Sequence, residues 1–161
     1  MPRISDPSRR AAHSLIGISH RLRPRDYAIA SLLDEHTTLT TDQLSSALFT
    51  NVTTCRHRLL LLRRIGFIDR FIRNRPNGPN PVCWLPGLLS ACYMALSRDD
   101  NPPTAKALRE RQDRVYASPT LDHLLAVNQF FVSLLVHARH RPSAELTRWW
   151  SERSTAARFG G

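Results

Sequence analysis

Thr53, Arg56, His57 and Arg64 recur at a spacing that brings them to one side of a helix, with Thr54 beside them. Short hydroxyls, an imidazole and guanidinium forks of this kind do hydrogen-bond chemistry: they donate to phosphate oxygens and to the acceptor edges of purines. The other side of the same stretch carries Val52, Cys55, Leu59 and Leu62, an apolar stripe fit for packing. Thr50 or Asn51 can cap its start and Gly66 can end it in the left-handed conformation, so residues 50–66 read as a bounded basic helix that recognises DNA. Within it the run of four leucines at 59–62 wraps the helix, so Leu60 and Leu61 leave the stripe and call for another cover, such as a second copy of the chain.

Other constellations carry weaker chemistry. His137 and His140 stand three apart on a helix, but no further Cys, His or carboxylate group completes a metal's ligand set, so they read as surface histidines. Ser118, Asp122 and His123 lack a nucleophile elbow and an oxyanion loop, and read as a helix start. Cys55, Cys83 and Cys92 are odd in number and lack C-x-x-C spacing, as small core residues in a reducing compartment would. Trp149 and Trp150 alternate as on a strand, one facing a core. Glu145 and Glu152 alone do not make the convergent carboxylates that two-metal cleavage needs. No catalytic residue, metal or cofactor is expected, and no small-molecule substrate.

The elements that position the basic helix follow from periodicity. Residues 25–36 place Tyr27, Ile29, Ala30, Leu32 and Leu33 at helical spacing after Pro24. Thr40 or Thr41 caps a second helix with Asp42 in its first turn, and a turn at 49–51 leads into the third. Residues 67–73 and 82–85 are strand-like and flank a turn-rich loop, giving a hairpin whose Arg73 and Arg75 extend the candidate DNA surface. Helix, turn, basic helix and hairpin make a winged helix-turn-helix over residues 24–97.

Around that unit, residues 1–23 are expected to form a basic, largely disordered or weakly helical arm and residues 98–103 a linker. Residues 104–161 form a helical segment and a single C-terminal strand at 146–151, an incomplete second domain. Its long helix from Thr120 to Arg139 is apolar over most of its circumference and is expected to be buried. The fold class is thus mainly α with a small β wing.

Charge agrees with this. The formal net charge is +10, and Lys106 is the only lysine among 23 basic residues. Residues 1–25 carry six arginines against Asp6, and residues 51–75 carry seven against Asp69, whereas residues 26–50 hold four acids and no base. A positive field concentrated on the arm and the basic helix favours double-stranded DNA as partner. No apolar run approaches the roughly 20 residues a membrane span needs, so a cytoplasmic protein is expected.

Several of these residues, taken in order, are similar to one family. Leu-Arg-Pro-Arg-Asp at 22–26, the helix start at 39–44, Leu48-Phe49, Arg-Leu-x-x-Leu-x-x-x-Gly at 58–66, His-Leu-x-x-Val-Asn-x-Phe at 123–130 and Trp149-x-x-Glu152 resemble the replication-relaxation family of actinobacterial plasmid and mobile-element proteins. The resemblance spans residues 22–159 and implies a winged helix-turn-helix with a role in plasmid replication or conjugative DNA transactions. It also implies, beyond Gly161, an acidic segment like a nuclease core, so the N-terminal part of a DNA-processing enzyme is the alternative to a DNA-binding protein. A winged helix used only for protein contacts is the third reading.

Overall fold

A computed structural model describes residues 7–146 and 148–159 of the chain. The chain is mainly helical with one small antiparallel sheet: α1 (Pro7–Ser19), α2 (Pro24–His36), β1 (Leu39–Thr40), α3 (Thr41–Leu48), α4 (Val52–Arg64), β2 (Ile68–Ile72), β3 (Val82–Pro86), α5 (Leu88–Leu96), α6 (Ala105–Tyr116), α7 (Leu121–Arg139) and α8 (Glu152–Phe159).

Local signals set the three central helices. Pro24 stands in the first turn of α2, and the Asp26 carboxylate accepts the Arg23 N–H at 2.7 Å. Thr40 caps α3: its hydroxyl accepts the Gln43 N–H at 3.2 Å while the Gln43 side chain accepts the Thr40 N–H at 2.9 Å. Asn51 caps α4 by accepting the N–H groups of Thr53 and Thr54, and Gly66 ends the turn after it at φ +78°. Ile29, Leu33, Leu39, Leu44, Cys55, Leu59, Leu62, Phe67 and Trp84 then close one core between α2, α3, α4 and the sheet.

The sheet order is β1-β3-β2, with Leu39 opposite Trp84 and Arg70 opposite Trp84 on the other edge. Pairing of Leu39 and Thr40 with β3 makes a third strand just ahead of the α3 cap, where the sequence shows only a helix start. Trp84 ties sheet to helix, because its indole N–H donates to the Thr41 hydroxyl at 2.9 Å and its carbonyl accepts the Thr38 hydroxyl at 2.8 Å. Behind it, Gly87 lets β3 turn into α5 against β2; a Cβ there would lie 2.8 Å from the Phe67 carbonyl.

The structure departs from expectation in five places. Within the arm, residues 7–19 form α1, which packs on α5, with Leu15, Ile18 and Leu22 set against the core; Met1 to Asp6 lie outside the described residues. Leu15 and Ile18 lie on one face of α1, and Leu22, in the turn that follows, adds a third anchor. Val52 is 37% exposed and so leaves the buried stripe that Cys55, Leu59 and Leu62 form. It occupies the first turn of α4, ahead of the point where the helix meets α2.

The expected C-terminal strand at 146–151 does not form; the described part of that stretch is irregular chain, followed by α8. Trp149 instead stacks between His36, at 3.8 Å between ring centroids, and Phe131, at 5.7 Å. That aromatic stack, and not a β ladder, holds this part of the chain against the core. Helix α7 buries only Leu121, Leu125, Asn128 and Val132, and leaves Phe130 61% exposed. By length and hydropathy it also passes as a membrane span, contrary to the reading of the sequence, yet its buried stripe packs on α3 and β1.

Finally, residues 104–139 do not stand apart from the first unit. Asn128 donates to the Thr38 carbonyl at 2.9 Å, Gln43 donates to the Leu125 carbonyl at 2.8 Å, and the Arg139 guanidinium donates to the Ser46 and Ala47 carbonyls at the end of α3. The Ser46 and Ala47 carbonyls lie in the last turn of α3, where intrahelical partners run out, whereas the Leu125 carbonyl lies inside α7.

Candidate nucleic-acid interface

Helix α4 presents the surface its sequence describes. Thr53, Thr54, Arg56, His57 and Arg64 are exposed, while Cys55, Leu59 and Leu62 are buried. Among the described residues no carboxylate lies within ion-pair distance of Arg56, His57 or Arg64. Their donors are therefore free for an anionic partner. Arg63, one residue away, is held 3.6 Å from Asp69. Arg25, in the first turn of α2, stacks over the Phe49 ring at 4.6 Å and adds a guanidinium near the start of α4.

What fixes this helix is a residue that the sequence reading passes over. Arg58 sits at the edge of the buried stripe and pairs with Asp26 of α2, which is fully buried. Its Nε donates to Asp26 Oδ1 at 2.8 Å, one Nη donates to Oδ2, and the same Nη reaches the Arg21 carbonyl at 2.8 Å. The hydrogen bonds to Asp26 raise the Arg58 pKa above the usual arginine value. A two-pronged pair of this kind sets the rotation of α4 about its axis as well as its position, so the free face points one way. The clue in the sequence is a lone arginine beside Cys55, Leu59 and Leu62, which demands an acid from another element.

The hairpin is arranged differently. Arg73 and Arg75 are half-buried and both donate to Asp122 in the first turn of α7, at 3.1 and 3.3 Å. These hydrogen bonds, Arg73 first, hold the Asp122 carboxyl below the ordinary aspartate range. Arg75 also donates its backbone N–H to the Asn80 side chain at 2.8 Å, and Gly78 takes φ +95° in the loop between. A cleft of about 600 Å³ lies between Arg56, the start of α3, Arg75, Asn80 and Asp122. The structure thus brings Thr53, Thr54, Arg56, His57 and Arg64 together and holds Arg73 and Arg75 against a carboxylate across that cleft.

The remaining candidates find other roles. Asp122 serves the arginines, and the Ser118 hydroxyl accepts the Thr120 N–H at 3.3 Å, so Ser118, Asp122 and His123 form a helix start. His137 and His140 are exposed, and no metal-holding group of three or more ligands occurs among the described residues. The three cysteines are free and buried; burial pushes the Cys55 and Cys83 thiols up to about 11. The Arg148 and Arg158 guanidinium groups both lie over the Trp150 ring, at 5.3 and 4.8 Å from its centroid. Glu145 is exposed, and the Glu152 side chain lies outside the described residues.

The family profile described as Replication-relaxation matches residues 31–161. The chain belongs to the replication-relaxation family. The match takes in α4, the hairpin and α7, the elements that build the surface above, and points to a role in the replication or relaxation of plasmids or mobile elements. No curated protein and no solved structure matches the chain.

Proposed function

We propose that this chain is a winged helix-turn-helix protein that binds double-stranded DNA, with α4 as the recognition helix and the β2–β3 hairpin as the wing. In this reading it acts in the cytoplasm of an actinobacterium on the DNA of a plasmid or mobile element. The observation that carries the proposal is the outer face of α4: two arginines with no carboxylate partner among the described residues, a histidine and two threonines, on a helix whose inner side is fixed by a buried ion pair. Such a face matches a major groove, where side chains from the first turns reach base edges and flanking arginines reach phosphates.

The test is a titration of the folded protein on random-sequence duplex at low and high salt. Binding that weakens steeply with salt is expected, because arginines that neutralise phosphates release counterions. A variant with Arg56→Ala, His57→Ala and Arg64→Ala is expected to keep its melting temperature, lose affinity and flatten the salt dependence by about two phosphate contacts. Unchanged affinity in that folded variant would show that α4 is not the reader. We further propose that these residues bind DNA without cutting it; metal-dependent nicking of supercoiled plasmid by the same preparation would make the chain part of a DNA-processing enzyme instead.

A further inference from the structure

One residue on the free face of α4 has no polar chemistry. Leu60 is 41% exposed, although its neighbours Leu59 and Leu62 are wholly buried and Leu61 is half-buried. Helical spacing puts Leu60 between His57 and Arg64 and on the same side as Thr53, in the middle of the stripe that has no carboxylate partner. It is thus an apolar side chain set in a polar, basic stripe two turns after the Asn51 cap, with one side bordering a cleft lined by Ile68, Leu88 and Leu108. On a surface that only contacts phosphates, a leucine there would be idle.

We infer that Leu60 is a specificity-determining residue of this interface and reads the C5-methyl group of a pyrimidine in the major groove. The inference rests on the proposed DNA binding by α4. The major groove offers one apolar feature, the methyl group at C5 of thymine, and 5-methylcytosine presents the same group in the same place. An aliphatic side chain without a donor or acceptor discriminates by burying that methyl and by leaving the donor or acceptor of a competing base unpaired. Thr53, Arg56, His57 and Arg64 supply hydrogen bonds around it, so Leu60 divides the stripe into two polar patches with a methyl-sized contact between them.

The experiment first selects the preferred duplex from a random library with the wild-type protein. Each thymine of that duplex is then replaced in turn by uracil, which deletes only the methyl group, and each cytosine by 5-methylcytosine. Affinities are measured for wild type and Leu60→Ala, with a melting curve showing that the exposed substitution leaves the fold intact. At one position, uracil is expected to weaken wild-type binding about threefold to fivefold, the size of burying one methyl group. Leu60→Ala is expected to be indifferent to that replacement. Should the sensitive position instead be a cytosine, its methylation would tighten wild-type binding by a similar factor and leave Leu60→Ala unchanged; either pattern supports the inference. Loss from uracil that persists in Leu60→Ala, the absence of any methyl effect in wild type, or an oligomer that Leu60→Ala dissolves would each overturn it. Salt-dependent duplex binding by wild type in those cases keeps the functional reading standing, whereas its absence would remove both.

Discussion

Helix α4 and the β2–β3 hairpin divide the most basic stretch of the chain, and they use arginine in opposite ways. On α4, Arg58 is buried on Asp26 and Arg63 pairs with Asp69 at the surface, while Arg56 and Arg64 have no acidic partner among the described residues. On the hairpin, Arg73 and Arg75 share Asp122. Counting arginines therefore overstates the charge that a partner meets. The buried pair acts on the fold and the exposed pair acts on the field, because an ion pair removed from water cannot lose one member cheaply while an exposed pair can.

The largest effect expected from this contrast is on Arg58. Arg58→Ala strands the Asp26 carboxylate in the core and is expected to destabilise the fold by about 3–5 kcal/mol, read from chemical denaturation. A loss smaller than that of an ordinary surface substitution would show that α4 is held by its apolar stripe alone.

A second buried group gives a pH signature. Burial pushes the His36 pKa down to about 4 from the ordinary 6.5, with the Glu35 charge opposing the shift, while the ring stacks on Trp149. Between these values the unfolded chain binds a proton that the folded chain refuses. Stability is therefore present in full above about pH 6.5 and is lost as the pH falls through about 4, by about 3 kcal/mol. Denaturation of wild type and of His36→Phe across that range should show the wild type losing stability by this much more than the variant. Parallel curves would mean that the imidazole accepts its proton in place.

Smallest is the effect at Asp122, and it runs the other way. Asp122→Asn is expected to leave the melting temperature unchanged, tighten duplex binding severalfold and steepen its salt dependence, since Arg73 and Arg75 are released to phosphates. In the Asp122→Asn background, Arg73→Ala and Arg75→Ala should cost more affinity than they do in wild type. Weaker binding by Asp122→Asn would reverse the assignment and make the carboxylate a support that holds the hairpin in its binding position.

Much of the fold was legible because local rules set it. Thr40 with Gln43, Asn51, Gly66 and Pro24 mark helix ends through groups within a few residues, and Cys55, Leu59 and Leu62 mark a face through periodicity alone. The exposed set Thr53, Thr54, Arg56, His57 and Arg64 followed from the same period. Tertiary structure alone decided the pairings across long separations. Residues 39–40 became a strand because Trp84 and Cys83 of β3 lay alongside, whereas in the described part of 146–151 the Trp149 ring is held by stacking on His36 and Phe131 instead of by a ladder. In the same way, the apolar neighbours Cys55, Leu59 and Leu62 say that Arg58 needs an acid, but nothing within a few residues of Arg58 or Arg75 says which acid each one meets. Asp26, 32 residues from Arg58, and Asp122, 47 residues from Arg75, decide which guanidinium anchors a helix and which is held at a surface. Charge and period belong to the sequence, whereas the partner of each charge depends on which distant segments the folded core brings together.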